Sequence, residues 1–364
     1  MVEWKKLVSV ANVLYGYPFE SSLFSEDSNY MPLIRIRDVK PAKASTYYSG
    51  EIREEYRIKK GDILVGMDGE FNLGRWDDRD GLLNQRVLKI SGKNGCSIDG
   101  YLFHYMGPVF KKIEKETAGG SVKHLSAKVI NNILVPIPSL SEQQRIVSIL
   151  DTFTSSISNL KQQIEERRKQ YEYERDLLLD LEGKEGVEMK KLGEVCKLER
   201  GVRVVKKDLQ KEGVLPVYQN SLTPLGYYDK SNYPENTTFV ICAGAAGEVG
   251  FSNKAFWAAD DCTCVVCPSF VHSKYIYNYL ISNQRILRSQ VRKASIPRLS
   301  KDVIGKLIVP LPPLSAQSRI VSILDTFEQS ISNLEEQLAM REKQYEYYRN
   351  QLLTFEGEEE RGKT

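Results

Sequence analysis

Apolar residues recur from Ile146 at alternating steps of four and three, through Leu150, Phe153, Ile157, Leu160 and Ile164. The same steps continue through Arg167, Tyr171, Glu174, Leu178 and Leu181. A stripe this narrow predicts a long helix with a coiled-coil seam rather than the broad apolar face of an ordinary surface helix. At 1.5 Å per residue the helix would be about 54 Å long. A second stripe has the same spacing: Ile320, Leu324, Phe327, Ile331, Leu334 and Leu338, then Arg341, Tyr345, Tyr348, Leu352 and Phe355. One seam needs a partner, and two in one chain supply it. The chain must return between them, so the expected pair is antiparallel. The competing expectation is that each seam packs only on its own domain. Arg167 and Arg341 interrupt the seams at matching places. Such a residue either fixes register or extends its charge to water along an apolar stem, and the second is the preferred expectation.

The stripes belong to an internal repeat. Arg145–Phe153 recurs letter for letter as Arg319–Phe327, and over half of residues 121–183 recur at the same offset. Each copy opens on a proline-bounded strand, Val135-Pro-Ile-Pro138 or Val309-Pro-Leu-Pro-Pro313. A serine follows as expected helix cap. Ser141-Glu-Gln-Gln144 fits a capping box, whereas Ser315-Ala-Gln-Ser318 keeps only the cap. Upstream, Val2-Glu-Trp-Lys-Lys-Leu7 is echoed weakly by Val187-Glu-Met-Lys-Lys-Leu192, and Gly16 and Gly201 fall in step with it. The order is therefore A–B–A′–B′. The expected segments are 1–132, 133–183, 184–306 and 307–357, with a solvated tail at 358–364.

The A segments read as mixed strand and helix. Gly61-Asp-Ile-Leu-Val-Gly-Met-Asp-Gly69 is a short apolar strand ending in a turn, and Thr238–Gly250 stands at the comparable point. Gln85–Ile90 and Thr263–Cys267 read as further strands. Helices rich in tyrosine and basic residues are expected at Ile98–Glu116 and Ser273–Arg292. Each is followed by a Leu-Ser turn, at residues 121–126 and 295–300. The fold class expected is α+β: two mixed α/β domains separated by two long antiparallel helices, with a pseudo-two-fold internal repeat. Gly244, Gly247 and Gly250 do not have dinucleotide-fingerprint spacing and read as turns. Gly357-Glu-Glu-Glu-Arg-Gly-Lys-Thr364 matches a phosphate loop letter for letter. It follows a helix rather than a strand, and three glutamates would repel a phosphate, so it reads as an accidental match.

Composition narrows the function classes. The 364 residues carry a net charge of only +3, which permits nucleic-acid binding only if charge is unevenly distributed. No apolar run is long enough for a membrane span, and the N-terminal residues lack a signal-peptide core, so an intracellular, cytoplasmic protein is expected. The six cysteines do not repeat between the halves, which argues against a disulfide framework. On a strand, Cys262 and Cys264 would face one side and Cys267 the other, which is poor metal-chelating geometry; no metal site is expected.

Side chains suited to DNA are interleaved with aromatics. In the first A segment they are Asn72, Arg75, Trp76, Gln85, Arg86, Lys123 and His124. In the second they are Arg203, Lys206, Lys207, Gln219, Asn220, Arg292, Lys293 and Arg298. Arg, Gln and Asn make bidentate contacts to base edges, while Lys more often meets phosphate. For each residue alone the competing expectation is a solvated surface group.

The A–B–A′–B′ layout resembles the specificity subunits of type I restriction-modification enzymes. So does the repeated Pro-x-Pro-x-Leu-Ser…Gln…Arg-Ile-Val-Ser-Ile-Leu-Asp motif at Pro136–Asp151 and Pro310–Asp325. The resemblance covers almost the whole chain and extends to Gly61-Asp-Ile-Leu-Val65. It implies that each A segment is a target-recognition domain reading one half of a split double-stranded DNA target. The B helices would be spacer and docking surface for two methylation subunits, which methylate adenine N6 with S-adenosylmethionine, and restriction subunits driven by ATP and Mg²⁺ would join that core. No cofactor is expected on this chain itself. The unlike A segments imply unlike half-sites. A catalytic reading is disfavoured: Pro312-Pro313 lies between leucines rather than in an Asn/Asp-Pro-Pro-aromatic methyltransferase motif, and only three histidines are present. The alternative of another class is a DNA-independent coiled-coil scaffold, which predicts A segments without DNA affinity.

Overall fold

A computed structural model describes residues 2–117, 123–205, 207, 209–293 and 295–355. The chain packs as two units. One draws on residues up to Asn159 together with those from Gln337 onward, and the other on Leu160–Glu336. Each unit thus contains one A segment and a part of both long helices, so the units in space cut across the order of segments in sequence.

Each unit is closed by a two-stranded antiparallel ribbon that brings the start of its A segment back to its end. Glu3–Lys6 pairs with Leu134–Ile137, Trp4 opposite Pro136. Glu188–Lys191 pairs with Ile308–Leu311, Met189 opposite Pro310. A two-stranded ribbon has open outer edges, where proline's missing N–H costs nothing.

The main sheet of each unit has four antiparallel strands. In the first unit the order is Ala11–Tyr15, Val87–Gly92, Ile63–Gly66, Leu73–Arg75. In the second it is Lys197–Arg200, Cys262–Val266, Thr237–Ile241, Val249–Ser252. The apolar run Ile63-Leu64-Val65 does not alternate with polar residues because both faces of its sheet are covered. Ile63 and Val65 pack on helix Asp99–Glu116, while Leu64 faces the core against a small five-stranded sheet. In the second unit, Val240 lies in the helix-side core and Phe239 and Ile241 in the opposite one. There the expected single helix is two, Ser273–Ser282 and Gln284–Ser289. The break comes at Asn283, whose side chain donates to the Tyr279 carbonyl.

Both long helices run 40 residues, Leu140–Leu179 and Leu314–Leu353. Neither begins with the expected serine cap. Ser141 lies inside the helix; the Ser139 hydroxyl accepts from the Glu142 N–H at 3.3 Å, two residues earlier than expected. Pro313 stands at the matching place in the second copy and contributes only its carbonyl, to the Ala316 and Gln317 N–H groups.

The seams do two jobs. Ile146 and Leu150 are fully buried in the first unit's domain core, together with Leu353 of the other long helix. Ile320 and Leu324 are buried likewise in the second unit. Farther along, Ile157, Leu160, Ile331 and Leu334 are half-buried. In the first unit Phe153 stacks on Tyr348, with ring centroids 5.2 Å apart. In the second, Arg168 pairs with Glu335 and Tyr171 bonds Glu328, so position advances on one helix as it recedes on the other, the antiparallel sense. The two seam arginines are half-buried, and each also meets an aromatic ring of the facing helix. Arg341 lies over the Phe153 ring at 5.7 Å, and Arg167 over Phe327 at 5.9 Å. A weakly hydrated guanidinium gains more from the ring face than a lysine would.

Candidate nucleic-acid interface

Three backbone segments meet at one end of each main sheet. In the first unit, the chain leaving strand Ile63–Gly66 is held on both sides: Met67 N–H donates to Arg86 carbonyl, Leu125 N–H to Met67 carbonyl, and Gly69 N–H to Lys123 carbonyl. The second unit repeats each bond. Cys242 N–H donates to Asp261 carbonyl, Leu299 N–H to Cys242 carbonyl, and Gly244 N–H to Pro297 carbonyl. Gly69 and Gly244 have φ of +73° and +81°, a conformation that requires glycine in practice. The shared frame makes positions 68 and 243, 86 and 261, and 124 and 298 equivalent, although the side chains differ at all three.

Several predicted residues converge here in the first unit. Gln85 and Arg86 are exposed on the turn between strands. Arg86 Nε lies 3.3 Å from Asp68 Oδ2, and His124 Nδ1 lies 2.5 Å from Asp68 Oδ1. Asn72, Gln85 and Arg86 line a groove of about 620 Å³ with Arg35 and Arg37. Lys123 is held by Glu114 at 3.2 Å. In the second unit Arg292 and Arg298 are joined by reciprocal backbone bonds. With Arg200, Asp260, Asp261 and Lys301 they line a groove of about 520 Å³. Gln219 donates to Asp261 at 3.4 Å, and exposed Asn220 gives its carbonyl to Ala245 N–H. Lys293, Arg203 and Lys207 are exposed; Lys206 lies outside the described residues. Both grooves mix fixed cations with acceptors, the equipment for reading an anionic, hydrogen-bonding polymer.

The residues matched by the family model for the type I restriction modification DNA specificity domain are 1–167 and 184–340. The chain belongs to the type I restriction-modification specificity family. Curated relatives agree. A putative type I restriction enzyme specificity subunit of Haemophilus influenzae is 29% identical over 97% of this chain and 96% of its own length. The EcoBI specificity subunit of Escherichia coli is 40% identical, but over 43% of this chain and only 33% of that protein. Among solved structures, the S subunit of a type I system from M. genitalium matches with a TM-score of 0.71 at 16% identity, covering 97% of each chain, and so shares the fold. The chain is a DNA specificity subunit, and its place in the family is recognition rather than catalysis. The scaffold alternative is not favoured.

Two residues expected to face DNA are turned elsewhere in this specificity chain. Trp76 is buried to 1% exposure, its indole N–H donating to the Arg79 carbonyl. A large aromatic beside the end of an apolar strand is core more readily than interface. Arg75 belongs to the joint between sheet and long helices. Its guanidinium lies over Phe103 at 4.6 Å and 3.2 Å from Asp151. The fully buried imidazole of His104 shares that carboxylate, with Nε2 2.8 Å from Asp151 Oδ1 and Nδ1 3.0 Å from the Tyr345 hydroxyl. Burial holds His104 below its ordinary pKa, against the pull of Asp151. In the second unit Lys274 takes the cation's part, 2.6 Å from Asp325 and 2.8 Å from Glu328. Burial works against its charge, but the two carboxylates hold its pKa above the ordinary value.

Sequence reasoning missed Arg35, Arg37, Asp68, Arg200 and Asp261. Arg35 and Arg37 carried a weak signal, a basic alternation just after the strand Met31–Ile34. Asp68 and Asp261 had none, since an acidic residue is not an obvious DNA contact. Among the described residues no three His, Cys, Asp or Glu side chains form a possible metal cluster, and no helix is long and apolar enough to cross a membrane. Cys262 and Cys264 are buried in the core, and Cys267 lies beside Cys196 with sulfurs 3.6 Å apart.

Proposed function

We propose that each unit reads one half of a split double-stranded DNA target through the three-segment end of its sheet, and that the two halves differ. The observation that carries this is a duplicated backbone frame holding non-equivalent side chains. Conserved backbone geometry with divergent side chains supports two readers of one construction and two specificities. The long helices act as spacer and as docking surface for two methylation subunits, with restriction subunits joining that core in the cytoplasm. S-adenosylmethionine, ATP and Mg²⁺ belong on those partners. A net charge of +3 leaves a small counterion-release contribution, so tight binding needs the methylation subunits.

The test is methylome sequencing of cells carrying the chain with its methylation partner. Exchange of residues 2–132 for the same segment of a relative is expected to alter one half of the methylated motif and leave the other. Change in both halves, or a motif without two parts, overturns the reading.

A further inference from the structure

We propose that positions 86 and 261 are specificity determinants, and that they read their half-sites with opposite hydrogen-bonding sense. Arg86 presents donors to a guanine edge, whereas Asp261 presents an acceptor to the exocyclic amine of cytosine or adenine. The inference rests on the DNA reading above and gives that reading particular residues.

The backbone makes the two positions equivalent. Each carbonyl accepts from the residue one past the end of the central strand, Met67 in one unit and Cys242 in the other. Each is followed directly by the neighbouring strand, at Val87 or Cys262. Two side chains on the same rung of the same frame face the same feature of a bound duplex, so a difference between them becomes a difference between half-sites.

The surroundings fit the opposed roles. The Arg86 side chain is 55% exposed, while Asp68 behind it is 23% exposed. Asp68 meets Arg86 through Nε, at 3.3 Å, and its other oxygen meets His124. A guanidinium gripped at Nε is pre-oriented, and its terminal nitrogens are the pair that fits guanine O6 and N7. In the second unit that grip is gone: Ala243 replaces Asp68, and Arg298 replaces His124 at the corresponding segment. Asp261 instead accepts from Gln219 through Oδ2, in the groove it shares with Arg200, Arg292 and Arg298. A carboxylate among arginines is tolerable beside phosphate, where an isolated one would be repelled. Carboxylates accept from cytosine N4.

The experiment uses the complete chain with its methylation subunit, methylome sequencing, and competition between duplexes that differ at single base pairs. Arg86→Ala is expected to make one base pair of one half-site degenerate, lowering discrimination there by roughly 5- to 150-fold, the range for a bidentate pair. Asp261→Ala is expected to do the same in the other half-site only. Asp68→Ala, which leaves Arg86 in place but ungripped, should relax the same base pair as Arg86→Ala, less strongly. Should an alanine variant not methylate, Arg86→Lys and Asp261→Asn decide by competition binding: each keeps a polar side chain but changes the donor and acceptor pattern. Unaltered discrimination in these variants, or changes falling in the same half-site, overturns the proposal while leaving DNA reading intact. A wild-type complex indifferent to sequence would instead overturn the reading beneath it.

Discussion

The joints between sheet and long helix in the two units share an anchor and differ in their electrostatics. The anchor is a buried glutamine. Gln143 is fully buried, donates to the carbonyls of Cys96 and Pro138, and accepts from the Ile98 N–H. Gln317 does the same with Phe270, Pro312 and His272. The tyrosines beside it repeat too, Tyr101 donating to Pro136 and Tyr275 to Pro310. The charges do not repeat. Arg75 on a strand neutralises Asp151, but the strand position paired with Thr238 in the second unit holds Phe251, and the cation for Asp325 is Lys274 on the helix. Where Lys274 stands in the repeat, the first unit has Gly100, and a Cβ there would come within 2.7 Å of Val147 Cγ1 and 3.2 Å of Arg75 Nη2. The cation has therefore changed element while the carboxylate has stayed. What is kept is neutralisation of a half-buried charge on the long helix. Which residue supplies it is free, because removing either partner leaves the other uncompensated.

The largest test of this comparison is the shared anchor. Gln143→Leu and Gln317→Leu each strand one N–H and two carbonyls, at about 1–3 kcal/mol for each buried group. Both are expected to lower unfolding free energy in denaturant by at least about 3 kcal/mol. A large loss from one and little from the other would mean that the joints are not equivalent. Next comes the exchanged cation. Arg75→Phe and Gly100→Lys are each expected to destabilise the fold. Together they recreate the second unit's arrangement, so the double variant should be more stable than the sum of the single losses by about 1 kcal/mol. Strict additivity in the double-mutant cycle would refute the exchange.

A smaller effect has opposite signs in the two units. His104 bonds on both ring nitrogens, whereas the matching Asn278 is fully buried and its amide has no hydrogen-bond partner among the described residues. His104→Leu is expected to cost about 1–2 kcal/mol. Asn278→Leu should be neutral or stabilising by up to about 1 kcal/mol, since an unpaired buried amide is itself a cost. Thermal melting of both variants decides it.

The same histidine gives the first unit its own pH dependence. Asp151 from the first long helix, Tyr345 and Arg349 from the second, and Arg75 from the sheet surround it, and burial outweighs Asp151 to keep its folded pKa below 6.5. The unfolded chain then takes up a proton before the folded one as pH falls. The stability it contributes is complete above 6.5 and is lost as pH drops toward the folded value. Melting curves between pH 8 and pH 5 should show this loss, and His104→Leu should remove that component. An identical pH profile in the variant would exclude His104 as its source. The smallest expected effect is at the seam arginines: Arg167→Ala and Arg341→Ala should each cost about 0.5–1 kcal/mol, equally, by loss of a guanidinium over a phenylalanine ring.

The residues alone determined the four-part repeat, the two long helices and their antiparallel sense, and the mixed strand-and-helix class of each A segment. Periodicity and repetition are properties of order along the chain, and a seam of alternating steps has few ways to be satisfied. Part of the interface was legible on the same terms, because Gln85, Arg86, His124, Arg292 and Arg298 are polar groups next to turns and end exposed at the sheet ends. Tertiary structure alone decided which polar groups face outward. Trp76 and Arg75 follow each other next to a turn as Gln85 and Arg86 do, yet one is in the core and the other is claimed by Asp151, because the partner that claims a side chain comes from a distant segment. The equivalence of Arg86 with Asp261 was likewise hidden, since the A segments have diverged in length and letter. Only the hydrogen bonds from Met67 and Cys242 put the two on one rung. Backbone pairing is conserved by geometry, while the side chains it carries are free to differ, and that freedom separates one specificity from another.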